Sequence, residues 1–373
     1  MPYAFSYFIP TRVFFGKDCL NNNYATLSGL GEKALIISGR KSAKACGAYD
    51  EIVEVLNKLN IESVLYDQVE ENPSFSSVQK VVEFGLENDA DFVIGIGGGS
   101  PIDAAKAVAV LIANPFMKIE ELFDGDFDIA LPIVAIPTTS GTGSEVTEFS
   151  VLNSPENRKK SFKSDVIFPD ISFIDPKYTL DLPTELTITT ACDALSHSIE
   201  GSLSLKSTIL TDLYAAKAIE LIKENLPKLV NSSLILSEKE RYECRQALSL
   251  ASMLGGMVIS QTGTVLPHSF GYNMTTFYGI RHGVATIIFL PSVLRKAERT
   301  NPEKLRVFKE SFKSVDKFDD FLEKLGVYKN IPKLSEKDLV DFSQFVAKSM
   351  HVSVTPGNIT YEDIISIYKE VCG

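Results

Sequence analysis

Two patterns of hydrophobic residues follow one another along the chain. Before about residue 182, short runs of β-branched and other apolar residues alternate with amphipathic stretches. The runs, which predict strands, are KALIIS (33–38), ESVLY (62–66), DFVIGI (91–96) and IVAIP (133–137). The stretches between them, which predict helices, are 50–59, 75–86 and 101–113. Strands that are almost wholly apolar and alternate with helices are typical of a parallel sheet covered on both faces.

The rest of the chain has helical periodicity. Apolar residues at positions 216, 219, 222, 226 and 230 lie on one face of a helix. Ser237 followed by Glu240 predicts a capping box that opens the next helix, and Gly326 is expected to end a later one. We therefore predict an α/β domain over residues 1–182 and an all-helical domain over residues 183–373.

Composition and charge narrow the class of protein. Apolar residues make up 45% and charged residues 23% of the 373 positions, which is an ordinary globular balance. The net charge of −11 argues against a nucleic acid or an anionic membrane as partner. No apolar run reaches the roughly 18 residues of a membrane span, and the first residues lack the pattern of a signal peptide. Five scattered cysteines without a CxxC pair suggest reduced thiols, so we expect a cytoplasmic protein.

A glycine-rich segment follows the DFVIGI strand and opens the next helix. Gly95, Gly97 and Gly98 match part of a dinucleotide-binding fingerprint, Ser100 suits an N-cap, and Asp103 is placed to bond back to the turn. Glycines let backbone N–H groups approach a phosphate closely, and the helix N-terminus favours its negative charge. A tight strand–helix turn without a ligand would use the same residues, so both interpretations stay open here.

A second polar loop, PTTSGTGSEVT (137–147), follows the next strand. In an open α/β sheet, ligands bind at the carboxyl ends of the strands, where both loops are expected to lie. Together the two loops favour a nucleotide site, and an ordinary Ser/Thr turn is the alternative for the second.

The helical part contains a candidate metal site. Asp193 and His197 are four residues apart in a helical stretch, so their side chains share one face. With His268 and His282 they offer one carboxylate and three imidazoles, which suit Fe²⁺, Zn²⁺, Co²⁺ or Ni²⁺ better than Mg²⁺ or Ca²⁺. An exposed ion pair for the first two, and a core histidine at 268, are the alternatives that spacing alone leaves open.

Taken together, these segments resemble the iron-containing (group III) alcohol dehydrogenase family. The matching segments are GGGSPIDAAK (97–106), PTTSGTGSEVT (137–147), DALSHSIEG (193–201), LPH (266–268) and RHG (281–283). They occur in the family's order, and the resemblance covers almost the whole chain. It implies the dehydroquinate synthase-like fold of that family: a Rossmann-like parallel-sheet domain that binds the dinucleotide, an all-α domain that binds the metal, and an active site between them.

The resemblance also implies which residues bind the metal and the cofactor. Asp193, His197, His268 and His282 would be the ligands of Fe²⁺, with Zn²⁺ as a substitute. The implied cofactor-binding residues are Asn72, Gly97, Gly98, Gly99, Ser100, Thr138, Thr139, Thr142 and Lys160. Gly39, which follows the first strand, and Asp103, in the glycine-rich turn, complete the predicted cofactor site.

The implied reaction is metal-assisted hydride transfer between NAD(P) and a primary alcohol or diol. Some relatives carry a further histidine four residues after the third ligand, where this chain has Tyr272. We therefore take Tyr272, together with the ligand His282, as the candidate catalytic residues. A cofactor ribose hydroxyl or a water molecule is the alternative to Tyr272 as proton relay. His351 matches no metal position and is expected to be a surface or packing residue.

NADP(H) is the expected form of the cofactor. The KALIIS strand is followed by Gly39, where several NAD-using relatives carry Asp. A carboxylate there accepts hydrogen bonds from the ribose 2′-hydroxyl and repels a 2′-phosphate. Gly39 removes that repulsion, and Arg40 and Lys41 add positive charge. A glycine turn beside two solvated cations is the alternative.

Two other functions are alternatives to this one. A glycerol dehydrogenase-like polyol oxidoreductase typically has a smaller metal set, so the fourth ligand and the GTGSEVT loop favour the alcohol dehydrogenase branch. A non-catalytic nucleotide- or metal-binding module would be expected to lack a ligand, and none is missing. We expect a small alcohol or aldehyde as substrate and, from the family, a homodimer.

Overall fold

The computed structural model describes residues 4–156 and 158–373. These residues form two compact units. The α/β unit contains residues 9–182 and 237–249, and the helical unit contains residues 4–8, 183–236 and 250–373.

The α/β unit alternates strands and helices. In chain order its elements are β1 (Arg12–Phe15), α1 (Cys19–Asn23), β2 (Lys33–Ser38), α2 (Ser42–Ala45), α3 (Ala48–Lys58), β3 (Glu62–Tyr66), α4 (Phe75–Glu87), β4 (Phe92–Gly97), α5 (Gly99–Ala113), β5 (Ile133–Pro137), β6 (Phe149–Asn153), β7 (Lys159–Lys163) and β8 (Ile171–Ile174). Short 3₁₀ turns connect several of them.

Six of these strands form one parallel sheet in the order β1-β8-β5-β4-β2-β3. Along β2, Leu35 and Ile37 pack against α4 and α5, whereas Ala34 and Ile36 pack on the opposite side with α1 and α3. Both faces of the sheet are therefore buried, which is why its central strands are apolar at almost every position.

Four strands were not predicted. β1 and β8 contain only four residues each, too few to show a period. β6 and β7 form a separate antiparallel hairpin, and the β7 sequence KKSFK is so polar that its strand conformation depends on pairing with β6.

The second compact unit is built from helices. Together with α8, which begins in the α/β unit, its elements are α6 (Thr184–Leu203), α7 (Ile209–Val230), α8 (Glu238–Thr262), α9 (Leu266–Tyr278), α10 (His282–Ile287), α11 (Leu290–Thr300), α12 (Arg306–Phe312), α13 (Val315–Leu325), α14 (Glu336–Ala347), α15 (His351–Val354) and α16 (Tyr361–Cys372). The predicted fold class, a parallel-sheet α/β part followed by an all-helical part, is confirmed.

Local signals set the helix ends as the sequence indicates. The Ser237 Oγ accepts a hydrogen bond from the Glu240 N–H, and the Glu240 carboxylate accepts one from the Ser237 N–H. Gly326 ends α13 in the left-handed conformation, at φ 73°.

All five cysteines are free thiols. Within the described residues, every helix is too short or too polar to cross a bilayer.

Candidate active site

The glycine loop at the end of β4 starts α5 earlier than predicted. The helix begins at Gly99, with Gly98 as its N-cap, and not at residue 101. Gly97 has φ 152°, and a Cβ at this position would lie 2.6 Å from the Pro101 Cγ, so the turn requires glycine. Ser100 is consequently inside the first turn and not at the cap. Its Oγ accepts a hydrogen bond from the Asn72 N–H at 3.0 Å, which draws Asn72 to the loop.

The hydroxyl-rich loop after β5 lies directly against these glycines. The Thr138 N–H donates to the Gly97 carbonyl at 2.8 Å. A Cβ at Gly98 would lie 3.2 Å from the Thr139 Oγ1, and one at Gly99 would lie 2.7 Å from the Thr142 Cγ2. The two predicted cofactor loops thus meet at the carboxyl edge of the sheet.

One side-chain oxygen at this edge of the sheet is available to bind a polar ligand. The Thr138 Oγ1 is buried and makes no hydrogen bond with any described residue. A buried hydroxyl without a partner is unfavourable, so a bound polar group at this position would stabilise it. The backbone close to the glycines and this hydroxyl are compatible with a dinucleotide.

The hydrogen-bond partners of the Asp103 carboxylate differ from the predicted ones. Its carboxylate does not bond back to its own turn, because it accepts hydrogen bonds from the Ser144 Oγ at 2.6 Å and the Val151 N–H at 3.1 Å. Burial raises the pKa of Asp103, and nearby Lys106 opposes that shift. Asp103 therefore joins α5 to the hydroxyl-rich loop and to β6.

Sequence reasoning missed Lys106, although it ends the quoted segment GGGSPIDAAK. Its ammonium is fully buried and donates to the Phe149 carbonyl at 2.7 Å, the Thr147 carbonyl at 2.8 Å and the Ser144 Oγ at 2.9 Å. Burial lowers the pKa of Lys106 to about 8, and the Asp103 carboxylate opposes this. Lys106 is thus a buried cation that fixes the far end of the hydroxyl-rich loop.

Two other predicted cofactor residues, Gly39 and Lys160, lie outside the glycine loop and the hydroxyl-rich loop. Gly39 directly follows β2, and a Cβ there would meet only the Val69 carbonyl oxygen, at 3.5 Å. Lys160 is exposed on β7, with its Nζ 5.8 Å from the centroid of the Phe123 ring. In the described part of the chain Lys160 makes no hydrogen bond to either cofactor loop, so its predicted role has no support from these contacts.

The candidate metal site is formed by three helices of the helical unit. Asp193 and His197 lie on α6, His268 lies in the first turn of α9, and His282 begins α10. The Asp193 Oδ1 is 3.7 Å from the Nε2 of His197 and 3.9 Å from the Nε2 of both other histidines. The His197 and His268 Nε2 atoms are 3.1 Å apart. The structure thus brings all four predicted ligands together.

The measured separations are close to those expected between ligand atoms that share one ion. Ligands about 2.1 Å from a tetrahedral metal lie about 3.4 Å from one another. The candidate ligand atoms of Asp193, His268 and His282 all lie within 4.8 Å of each other. The Asp193 Oδ1 is buried and has no hydrogen-bond partner among the described residues, which a bound cation would provide.

Glu200 orients one of these imidazoles and was also missed from the sequence. Its Oε1 lies 2.7 Å from the His268 Nδ1, and its Oε2 accepts a hydrogen bond from the Val265 N–H at 2.9 Å. A proton on Nδ1 leaves the His268 Nε2 lone pair facing Asp193, the arrangement of metal-binding histidines. Glu200 is seven residues after Asp193 on the same helix, so helical spacing contained the signal.

Two glycines allow the three helices to approach. A Cβ at Gly283 would lie 2.0 Å from the Thr189 carbonyl oxygen and 2.8 Å from the Asp193 N. A Cβ at Gly271 would lie 2.5 Å from the Thr286 Oγ1. Because Gly283 is adjacent to His282, this close packing of α10 on α6 places that imidazole beside Asp193.

Tyr272 lies beside the candidate ligands. Its ring stacks on the His282 ring, with centroids 5.6 Å apart and planes inclined by 11°. His351, expected at the surface or in packing, is half-buried, and its ring lies 6.0 Å from that of Tyr272. Burial lowers the pKa of His351 to about 3.

Comparisons with known proteins agree over both parts of the chain. Residues 10–176 match the family described as iron-containing alcohol dehydrogenase, and residues 187–372 match the C-terminal region of the Fe-containing alcohol dehydrogenase family. The structure of an iron-containing alcohol dehydrogenase from Thermotoga maritima is 41% identical, with a TM-score of 0.92, and the match covers 99% of this chain and 100% of that one.

Two curated relatives differ in substrate and cofactor. The NADPH-dependent butanol dehydrogenase of Clostridium saccharobutylicum is 33% identical over 302 residues, covering 79% of this chain and 75% of the relative. The NAD-dependent methanol dehydrogenase of Bacillus methanolicus is 29% identical over 292 residues, covering 77% and 74%.

Fold, motif order and matched length together define an oxidoreductase of the alcohol dehydrogenase type. The chain belongs to the iron-containing alcohol dehydrogenase family, as its resemblance implied.

Replacing Gly283 by Ala should disrupt the candidate metal site. The new methyl group would overlap the Thr189 carbonyl and push α10, with His282, away from α6. We expect a stability loss of about 1–3 kcal/mol and a clear fall in bound metal, measured by urea unfolding and by metal analysis after reconstitution. A Gly283→Ala protein with the metal content and stability of the wild type would contradict this account.

Replacing Lys106 by Met should destabilise the α/β unit by roughly 3–5 kcal/mol, because the Asp103 carboxylate would stay buried without its cation. Urea unfolding measures the effect. Lys80→Met, at an exposed position on α4, is the matched control and should change stability by less than about 0.5 kcal/mol. Equal losses in the two variants would show that the buried ammonium has no special role.

Proposed function

We propose that the protein is a metal-dependent alcohol dehydrogenase and aldehyde reductase that transfers hydride between a small primary alcohol or diol and NADP(H). The observation that carries this proposal is the Asp193 carboxylate facing three imidazole nitrogens at 3.7–3.9 Å. Family membership supplies the reaction class, and the donor set supplies the reason for a metal.

Fe²⁺ is the metal that we propose, with Zn²⁺ as the substitute. Three imidazoles and one carboxylate are borderline ligands, which bind both ions better than Mg²⁺ or Ca²⁺. The Thermotoga maritima relative is described as iron-containing, which supports the choice of iron. Asp193, His197, His268 and His282 would hold the ion.

The chemistry is divided between the bound groups and the chain. When bound, the metal would supply Lewis acidity toward the alcohol oxygen and the nicotinamide ring would accept or donate the hydride. Glu200 keeps the His268 ring in the tautomer that exposes its Nε2. Tyr272, stacked on His282, is the phenol that we propose to exchange the alcohol proton.

The glycine loop and the hydroxyl-rich loop are the proposed cofactor site. The backbone at Gly97, Gly98 and Gly99 would hold the pyrophosphate at the start of α5, where N–H groups and the helix dipole favour anions. Thr138 would meet the cofactor with its buried hydroxyl, which has no partner among the described residues.

The proposed preference for NADP(H) rests on the residues after β2. Gly39 places no side chain where a 2′-phosphate would bind, and both Arg40 and Lys41 are exposed beside it. One of the two curated relatives is named for NADPH and the other for NAD, so the choice depends on this chain's own residues. Their names, butanol and methanol dehydrogenase, support a primary alcohol as substrate.

Removal of the metal should abolish turnover. We expect chelated protein to lose activity with butanol and butyraldehyde and to regain it with Fe²⁺ added anaerobically. His268→Ala should lower kcat by about 1,000-fold, since Lewis-acid activation contributes several kcal/mol to the rate. A stably folded His268→Ala protein with undiminished turnover would refute the metal-dependent mechanism.

Gly39→Asp should reverse the cofactor preference. A carboxylate beside the 2′-phosphate adds like-charge repulsion, and we expect the ratio of kcat/KM for NADPH over NADH to fall by about 100-fold. A Cβ at Gly39 would make only an ordinary contact with the Val69 carbonyl oxygen, at 3.5 Å. Gly39→Asn, similar in size but uncharged, is the control and should fall much less. A wild-type protein that prefers NADH would show that the proposed preference is wrong.

A further inference from the structure

We propose that His351 is a positioning residue for this reaction, which holds the Tyr272 ring against the ring of the candidate ligand His282. The inference rests on the proposed function, because it assigns a purpose to the orientation of Tyr272. It concerns a residue that no sequence motif pointed to.

Three imidazoles surround the Tyr272 ring. His282 stacks on it face to face, at 5.6 Å and 11°, and His268 meets it edge to face, at 6.3 Å and 85°. The third neighbour is His351, at 6.0 Å and 70°. The first two are candidate metal ligands, so their positions are set by that site. Of these three imidazoles, His351 is the one outside the candidate ligand set, so it can orient Tyr272 without binding the metal.

Hydroxyl groups fix the His351 ring at both nitrogens. Its Nδ1 lies 2.5 Å from the Ser349 Oγ, and its Nε2 lies 3.0 Å from the Thr264 Oγ1. Rotation of the imidazole would break both contacts, so the ring presents one fixed surface to Tyr272.

The segment that carries His351 is also joined to the start of α9. The Leu266 N–H donates to the Thr355 Oγ1 at 3.0 Å, and that hydroxyl donates to the His351 carbonyl at 2.7 Å. Because α9 carries both His268 and Tyr272, these bonds keep His351 in a constant position relative to the helix that it buttresses.

The expected consequence is a defect in kcat and not in KM. Without the imidazole, the Tyr272 ring has free space on one side and can tilt away from His282. Misplacement of a catalytic group by about 1 Å can cost up to about 100-fold in rate. We expect His351→Ala to lower kcat by about 10-fold with little change in KM for the alcohol. Thr264→Val, which removes one anchor of the ring, should have a smaller effect in the same direction.

A double-mutant cycle distinguishes positioning from a general structural role. If His351 acts through the Tyr272 hydroxyl, His351→Ala should leave kcat unchanged in a Tyr272→Phe background. An equal loss of kcat in both backgrounds would overturn the proposal, and so would an unchanged kcat in His351→Ala alone. If His351→Ala does not fold, the cycle is run with Thr264→Val in its place, with the same two criteria.

The visible absorption of the cobalt-substituted protein gives a second readout that needs no turnover. We expect His351→Ala to shift the bands of bound Co²⁺, because the Tyr272 ring that stacks on the His282 imidazole changes its position. Ser353→Ala, at an exposed position on the same short helix, is the matched control and should leave both bands and kcat as in the wild type.

Identical Co²⁺ spectra for wild type and His351→Ala would overturn the proposal. A wild type that binds no Co²⁺, or that oxidises no alcohol, would refute the proposed function instead, so the two failures are distinguishable.

Discussion

The Asp193 carboxylate, with three imidazole nitrogens within 4 Å of its Oδ1, is the constraint on which the helical unit depends. Two of these imidazoles and the carboxylate are nearly inaccessible to water, so their lone pairs cannot be satisfied by solvent. A bound cation would therefore stabilise this cluster. Ion binding and the docking of α9 and α10 onto α6 are therefore expected to be thermodynamically linked. The glycine contacts at Gly271 and Gly283 make that docking sterically feasible.

In the α/β unit a buried carboxylate is likewise stabilised by a cation, and here the cation is the side chain of Lys106. The ammonium of Lys106 is fully buried, and its charge is met by the Asp103 carboxylate through Ser144 and by backbone carbonyls. A loop rich in small polar residues would otherwise be mobile, because it has few apolar groups to bury. The buried Lys106 ammonium orders the hydroxyl-rich loop, as apolar side chains do in a hydrophobic core. In both units, buried charged groups thus help to position the candidate functional residues.

The sequence allowed much of this to be predicted, for identifiable reasons. The KALIIS and IVAIP strands have the predicted bounds, because central parallel strands are apolar throughout and end abruptly at polar turns. The hairpin that contains KKSFK was not predicted, since its strand character comes from pairing and not from composition. The four candidate ligands came from spacing and family resemblance. The contacts of Lys106 with Ser144 and of His351 with Thr264 were not predicted, because these partners lie 38 and 87 residues away along the chain and only the fold brings them together.

The contact between the two cofactor loops has an evolutionary consequence. A Cβ at Gly99 would lie only 2.7 Å from the Thr142 Cγ2, so a larger residue at either position needs a smaller one at the other. Gly98 and Thr139 are related in the same way at 3.2 Å. The two loops are separate in the chain but cannot vary independently. Related sequences should therefore show compensating substitutions at these pairs, and chimeras that exchange one loop without the other should fold poorly.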